Sequence, residues 1–153
     1  MNRRLTRPVV LIAVIMVFSI LSATLSAQTA AKPSLYKRLG SYDAIAAVTD
    51  DFLGRLLPDE RFAKFFAGAS TDSKGRIRQH VVDQLCNATG GPCLYTGRTM
   101  KQSHAGLGIT EDDWNAAVKH LVASLDKFKV PEAEKGELLA IAGSLKADIV
   151  EKK

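Results

Sequence analysis

His104 is the residue whose type and setting best fit metal chemistry. It follows Met100 by four residues on a predicted short helix, so the two side chains lie on one face about one turn apart. Gly106 and Gly108 come directly afterwards and end that helix, because glycine adopts backbone conformations that other residues avoid. The imidazole is therefore predicted to project from a short, adjustable platform, a setting that suits a metal ligand.

The other two histidines have different surroundings. His80 lies at the margin of the apolar face of a predicted helix. Three interpretations fit this place: a core histidine with its hydrogen bonds satisfied, a polar group facing a pocket, or a second metal ligand. His120 lies about 120° from the centre of its helix's apolar face and is predicted to be an exposed bystander.

The two cysteines flank a turn-rich segment, residues 87–92. In an oxidising compartment a disulfide between Cys86 and Cys93 is favoured, and the alternative is two free thiols, one of them buried. No second pair of cysteines or histidines stands at ligand spacing, so zinc is not expected.

The amino-terminal residues 1–27 have the pattern of an export signal. Three arginines precede an apolar run over residues 9–21, and small residues follow up to Ala27, where cleavage is expected. The uncharged stretch 8–30 is also long enough for an uncleaved membrane anchor. We expect a linker over residues 28–34 and a domain over 35–153, located outside the cytoplasm, in the periplasm or at the outer face of the membrane. Contact with the membrane is expected only through the amino-terminal segment.

Composition limits the remaining choices. The chain has 153 residues, 46% of them hydrophobic, enough for one core. Its net charge is +5, but without the three leader arginines the 21 basic residues become 18 against 16 acidic ones, or about +2. A nucleic-acid partner is not expected, because it would require a dense basic face.

From Lys32 onward the apolar residues repeat with helical periods. The pattern predicts four substantial helices over about 42–57, 71–86, 110–129 and 132–150, with short helices over 35–39 and 59–67. Thr71 or Asp72 is the expected cap of the second long helix, and Thr110 with Asp113 resembles a capping box. The predicted fold class is all-α.

Residues 35–150 resemble group 1 truncated haemoglobins. The segments that carry the resemblance are LYKRLG, DFLGRLL, FAKFFAG, GGPCLYTGRTMKQSHAGLGIT and HLVASLDKFKVP. The resemblance implies a two-over-two helical sandwich around non-covalent haem b, and no Cys-x-x-Cys-His attachment pattern is present.

The resemblance also implies individual roles. His104 matches the proximal iron ligand, and its second ring nitrogen is expected to donate to a backbone carbonyl one turn back. Phe66 matches an aromatic residue packed on the porphyrin. Gly90 and Gly91 match a glycine motif before a flexible loop, and Gly40-Ser41 replaces the first such pair. The expected apolar walls are Ile77, Val81, Met100 and Trp114. Arg98 or Lys101 is expected to pair with a haem propionate.

One departure concerns the distal side, where many relatives carry a tyrosine that donates to bound O2. Leu53 stands at that position, beside Phe52. The candidate replacements are His80 and Gln84, with Ser73 or Lys74 at the entrance. His80 is expected either to donate to the ligand or to coordinate the iron directly.

The expected function is reversible binding of O2, NO or CO. One alternative is a haem enzyme that converts NO and O2 to nitrate, or a weak peroxidase, either of which would need an external reductase or electron donor. The other alternative is a cofactor-free helical domain with a redox cysteine pair.

Overall fold

The computed structural model describes residues 31–152. Described residues form helices and no strand; Thr110 and Lys152 make an isolated bridge. In chain order the helices are α1 Leu35–Arg38, α2 Ser41–Leu56, α3 Glu60–Ala63, α4 Thr71–Ala88, α5 Met100–His104, α6 Glu111–Lys127, α7 Glu132–Ser144 and α8 Lys146–Ile149, and a 3-10 turn over Lys64–Phe66 follows α3. The predicted all-α class is confirmed.

The long helices pack in two layers. α2 packs against both α4 and α6, α7 contacts α1 and α6, and α8 contacts α5. The main core cluster joins α1, α2, α6 and α7, and a second cluster joins α2 to α4. Their buried members are Leu35, Val48, Leu121, Leu125 and Leu138 in the first, and Ile45, Val82 and Cys86 in the second.

Two helix starts test the predicted caps. The Thr110 hydroxyl accepts from the Asp113 amide (3.1 Å) and the Asp113 carboxylate accepts from the Thr110 amide (3.1 Å), so the predicted capping box is confirmed. The predicted cap of α4 is wrong. Ser70, rather than Thr71 or Asp72, accepts from the backbone of Ser73 (3.2 Å).

The last predicted helix, 132–150, is two helices. The Ser144 hydroxyl donates to the carbonyl of Ile141 (2.7 Å), and the Leu145 amide donates to the carbonyl of Ala142 (3.0 Å). Such short-range bonds tighten the backbone and compete with regular α-helix. The regular α-helix is therefore interrupted at Leu145, and α8, which follows, contacts α5.

The predicted leader, residues 1–27, lies outside the described residues. In residues 31–152, no helix is long and apolar enough to cross a bilayer.

A charged cluster fastens α2 to α6. The Asp51 carboxylate accepts from Arg55 Nε (2.6 Å), from the Ser124 hydroxyl (2.8 Å) and from Lys127 Nζ. The Asp51 side chain is only 12% exposed. Hydrogen bonds from Lys127, Arg55 and Ser124, in that order, hold the pKa of Asp51 far below its usual value.

We expect Asp51→Asn to lower the free energy of unfolding by about 1–3 kcal/mol near neutral pH, because the amide cannot accept all three bonds. A lowered carboxyl pKa stabilises the fold above the unfolded-state pKa, and this contribution is lost as pH falls through the folded-state pKa. Urea unfolding at neutral and strongly acidic pH should therefore show the two proteins converging in acid.

Asp50→Asn is the matched control. Asp50 pairs with Arg78 at the surface with its side chain 53% exposed, so its loss should cost less than about 1 kcal/mol. Equal losses for the two variants, or a difference that persists in acid, would contradict the assignment.

Candidate functional site

A cavity of about 690 Å³ lies among α2, α4, α5, α6 and the carboxyl-terminal helices. This volume falls within the roughly 300–1,000 Å³ of typical ligand sites. Its walls are mainly aromatic and aliphatic and continue into the core cluster formed by Leu53, Leu56 and Phe62. Such walls favour a large apolar ligand and exclude water.

Most of the site residues expected from the sequence line this one cavity. They are Phe52, Leu53, Phe66, Ser73, Ile77, His80, Val81, Gln84, Arg98, Met100, His104 and Trp114. Lys74 and Lys101 are exposed and do not contribute to its walls.

The half-buried His104 ends α5, a helix set by strong local signals. The Thr99 hydroxyl accepts from the amide of Gln102, whose side chain accepts from the amide of Thr99, and this box starts the helix. One turn after the start, His104 Nδ1 lies 2.8 Å from the carbonyl oxygen of Met100. A carbonyl can only accept, so Nδ1 carries the proton and Nε2 keeps its lone pair. The expected hydrogen bond one turn back is thus present, and the lone pair of Nε2 is available to coordinate a metal.

The loop after His104 is fastened by a carboxylate that the sequence analysis missed. Gly106 and Gly108 have φ of +79° and +65°, and their amides each donate to one oxygen of Glu151 (2.6 Å). The hydrogen bonds from Gly106 and then Gly108 lower the pKa of Glu151. The Glu151 amide also donates to the carbonyl of Ile109 (2.9 Å). The platform that carries His104 is therefore clamped from the carboxyl-terminal end of the domain.

The polar groups of α4 present unused hydrogen-bonding capacity. His80 Nδ1 and Gln84 Oε1, four residues apart on α4, are buried and have no hydrogen-bond partner within the described part of the chain. Such burial costs about 1–3 kcal/mol per group, so a ligand that supplied the missing partners would recover it. Leu53, 8% exposed, also lines the cavity and offers no hydroxyl there.

Two arginines line the cavity while remaining exposed to solvent. Arg98 was expected there, and Arg76 was not. Arg76 Nη2 donates to the hydroxyl of Ser73 (3.1 Å), which the sequence analysis placed at the entrance. Guanidinium groups at this edge suit anionic substituents of an otherwise apolar ligand.

The loop between α4 and α5 is held by a disulfide. Cys86 and Cys93 are bonded, so both cysteines of the chain are oxidised. A Cβ on Gly91 would lie 2.5 Å from Cδ2 of Tyr36 and 2.7 Å from Sγ of Cys86, so only glycine lets the chain pass this close. Tyr95, also missed from the sequence, follows in this loop and contributes its side chain to the cavity.

The expectation that His120 is an exposed bystander is wrong. Its Nε2 lies 2.8 Å from Oδ2 of Asp59, and its ring packs edge-on against Phe62 with centroids 5.9 Å apart. The hydrogen bond with His120 is the main cause of a lowered pKa for Asp59. His120 joins α6 to the start of α3 and does not line the cavity.

These features fit a flat, apolar, metal-bearing ligand with anionic edges. The cavity provides apolar walls, one imidazole with its tautomer fixed, and arginines at the solvent side. An iron porphyrin has each matching property, so the residues present fit haem.

Comparisons with known proteins agree with this fit. Residues 34–151 match the family model for bacterial-like globins. A group 1 truncated hemoglobin of Mycolicibacterium paratuberculosis is 34% identical over 76% of this chain and 83% of its own length.

Solved structures show the same fold. The truncated hemoglobin of Tetrahymena pyriformis in its Fe(III) form superposes with a TM-score of 0.71 at 27% identity, covering 78% of this chain and all of the other. A 2/2 hemoglobin from Synechococcus, in the cyanomet state with covalently attached heme, gives 0.69 at 29% identity, covering 77% and 98%.

We expect Glu151→Gln to loosen the loop after His104, because a neutral amide has one oxygen where the carboxylate offers two. Amide hydrogen exchange at Gly106 and Gly108 should accelerate roughly 2- to 5-fold at neutral pH. The pKa of Glu151 is lowered in the folded protein. The hydrogen bonds from Gly106 and Gly108 should therefore be fully present at pH values above the ordinary pKa of glutamate, and they should be lost as the pH falls through the lowered pKa of Glu151.

Asp148→Asn on α8 removes the same charge from an exposed carboxylate and serves as the control. Unchanged exchange in Glu151→Gln, or equal acceleration in both variants, would show that Glu151 does not clamp the loop.

Proposed function

The chain belongs to the bacterial-like globin family, and from this premise we propose that it holds haem b non-covalently through His104 and reversibly binds a diatomic gas, foremost O2. One observation carries the proposal: the Nδ1–H of His104 donates to the carbonyl of Met100, which leaves Nε2 unprotonated in an apolar cavity.

When bound, haem supplies an iron centre to which O2, NO or CO can coordinate. The chain's own residues decide what reaches that centre. Phe66, Ile77, Val81 and Trp114 line the cavity with apolar surface, which excludes water and favours small uncharged ligands over anions. Reversible binding of a neutral gas is therefore the chemistry that this site supports best.

We assign the distal polar role to His80, with Gln84 one turn further along α4. Among the described residues, His80 Nδ1 is buried without a hydrogen-bond partner and can donate when it carries the proton, whereas the buried Oε1 of Gln84 can only accept and Leu53 has no polar group. A donor to the ligand strengthens retention by about 10- to 100-fold if it contributes 1.4–2.8 kcal/mol. His80 could donate a hydrogen bond to the gas or coordinate the iron directly, and the absorption spectrum of the ferrous protein distinguishes these two roles. Sharp low-spin bands indicate direct coordination, and a broad high-spin band excludes it.

Non-covalent attachment is supported by the state of the cysteines. Cys86 and Cys93 are joined to each other, so neither offers a thiol for a thioether bond. Haem b should therefore pass into acidified butanone, and haem that stays with the protein would contradict this part of the proposal.

The proposal concerns binding rather than turnover. Conversion of NO and O2 to nitrate takes up one electron for each NO, so repeated cycles would need an external donor. Nitrate yield on mixing the O2-loaded protein with NO distinguishes that activity from simple binding.

We also propose that residues 1–27 direct export, in keeping with their charge and hydrophobic pattern. A disulfide between Cys86 and Cys93 suits an oxidising compartment such as the periplasm. Amino-terminal sequencing of protein from the periplasmic fraction should begin at Gln28. A start at Met1 in a membrane fraction would indicate an anchor, and intact protein in the cytoplasm would refute export.

We expect His104→Gly to weaken haem binding by more than about 10- to 100-fold, because loss of a group that merely orients a metal ligand already has an effect of that size. Haem titration followed by absorption measures the affinity. Added imidazole should restore the wild-type spectrum by occupying the place of the missing side chain.

His120→Ala is the matched control, since this histidine bonds to Asp59 outside the cavity. Its haem affinity and spectrum should match those of the wild type. Wild-type affinity and spectrum in His104→Gly without imidazole would refute the proposed ligand.

A further inference from the structure

We propose that Tyr95 is a positioning residue that sets the orientation of the His80 imidazole inside the cavity. This inference deepens the proposed function, because His80 is the polar group assigned to the gas-binding side. It rests on contacts around the loop between α4 and α5.

The first contact is between the two rings. The Tyr95 and His80 centroids are 6.0 Å apart, and the ring planes meet at 74°, an edge-on arrangement. Both side chains line the same cavity. Because His80 Nδ1 has no hydrogen-bond partner among the described residues, no bond at that atom fixes the imidazole. The tyrosine ring is thus a contact that can favour one orientation of His80.

Tyr95 is itself held at its far end. Its hydroxyl donates to the carbonyl of Arg98 (2.6 Å), which closes the loop around the phenol. A Cβ on Gly97 would lie 2.4 Å from the Tyr95 hydroxyl oxygen, so a larger residue would displace the ring. The ring therefore has a defined place rather than a range of exposed rotamers.

The loop is also tied to α4, the helix that carries His80. Cys93, two residues before Tyr95, is bonded to Cys86 on α4, and Asn87 Nδ2 donates to the carbonyl of Cys93 (3.0 Å). On the other side, Arg98 directly precedes Thr99, the cap of the helix that ends in His104. Tyr95 therefore lies in the loop that joins the helix of His80 to the helix of His104.

Removal of the ring should release His80. Removal of the hydroxyl alone should have a much smaller effect, because the disulfide and the close approach of Gly97 still hold the ring in place. Edge-on aromatic pairs shift a conformational equilibrium about 2- to 10-fold. We therefore expect Tyr95→Leu to change CO association of the haem-loaded protein by about that factor. Tyr95→Phe keeps the ring and should stay close to wild type.

The test begins with NMR of the haem-free protein. The wild type should show nuclear Overhauser contacts between the His80 and Tyr95 ring protons and ring-current-shifted His80 signals. Tyr95→Leu should lose that shift, and Tyr95→Phe should retain it. Tyr42→Leu is the control. Tyr42 accepts a hydrogen bond from Gln79, which precedes His80 on α4, but Tyr42 does not line the cavity.

A double-mutant cycle then asks whether Tyr95 acts through His80. Tyr95→Leu should alter CO association when His80 is present and have little effect in a His80→Leu background. An equal effect in both backgrounds would overturn the proposal and make Tyr95 an ordinary wall residue. If Tyr95→Leu fails to fold, two other results would overturn the proposal. One is a wild type that shows no contacts between the His80 and Tyr95 rings, and the other is loss of the His80 shift in Tyr95→Phe.

Failure of haem to bind would refute the proposed function without affecting the NMR result. The two ideas are therefore separable.

Discussion

The hydrogen bond from Nδ1 of His104 to the carbonyl of Met100 is the interaction on which the account of this site depends. It fixes the tautomer, holds the ring against its own helix and leaves Nε2 as a donor to metal. α5 is only five residues long, so its ends must be secured from outside. The Thr99 capping box secures the start, and Glu151 secures the loop after the end.

The larger helices supply what a short helix cannot. α2 packs on α4 and α6, and the resulting space is lined by apolar side chains rather than filled by them. Asp51 ties α2 to α6 through three donors, and the disulfide ties the end of α4 to the next loop. These polar and covalent links therefore join helices and a loop that surround the cavity.

Local sequence signals were sufficient for much of this structure. The spacing of His104 after Met100 and the Thr110–Asp113 box each depend on residues within one turn, and the structure contains both arrangements. The apolar pattern wrongly predicted one continuous helix across Leu145. The pattern continues past this residue, but the bonds from the Ser144 hydroxyl to the carbonyl of Ile141 and from the Leu145 amide to the carbonyl of Ala142 interrupt the helix.

The missed features depend on residues distant in sequence or on the direction of a loop side chain. Glu151 reaches Gly106 across 45 positions, and His120 reaches Asp59 across 61. No periodicity encodes such contacts, because they arise only when helices have packed. Tyr95 lies in a loop, where neither helical nor strand period specifies a direction, and the ring of His80 becomes its neighbour through the fold alone. The role of His104 can be decided by a crystal structure of the haem-loaded protein. We expect iron bonded to Nε2 of His104, with the hydrogen bond from Nδ1 to the carbonyl of Met100 retained. A porphyrin outside the cavity, or iron held by another residue in place of His104, would contradict this role.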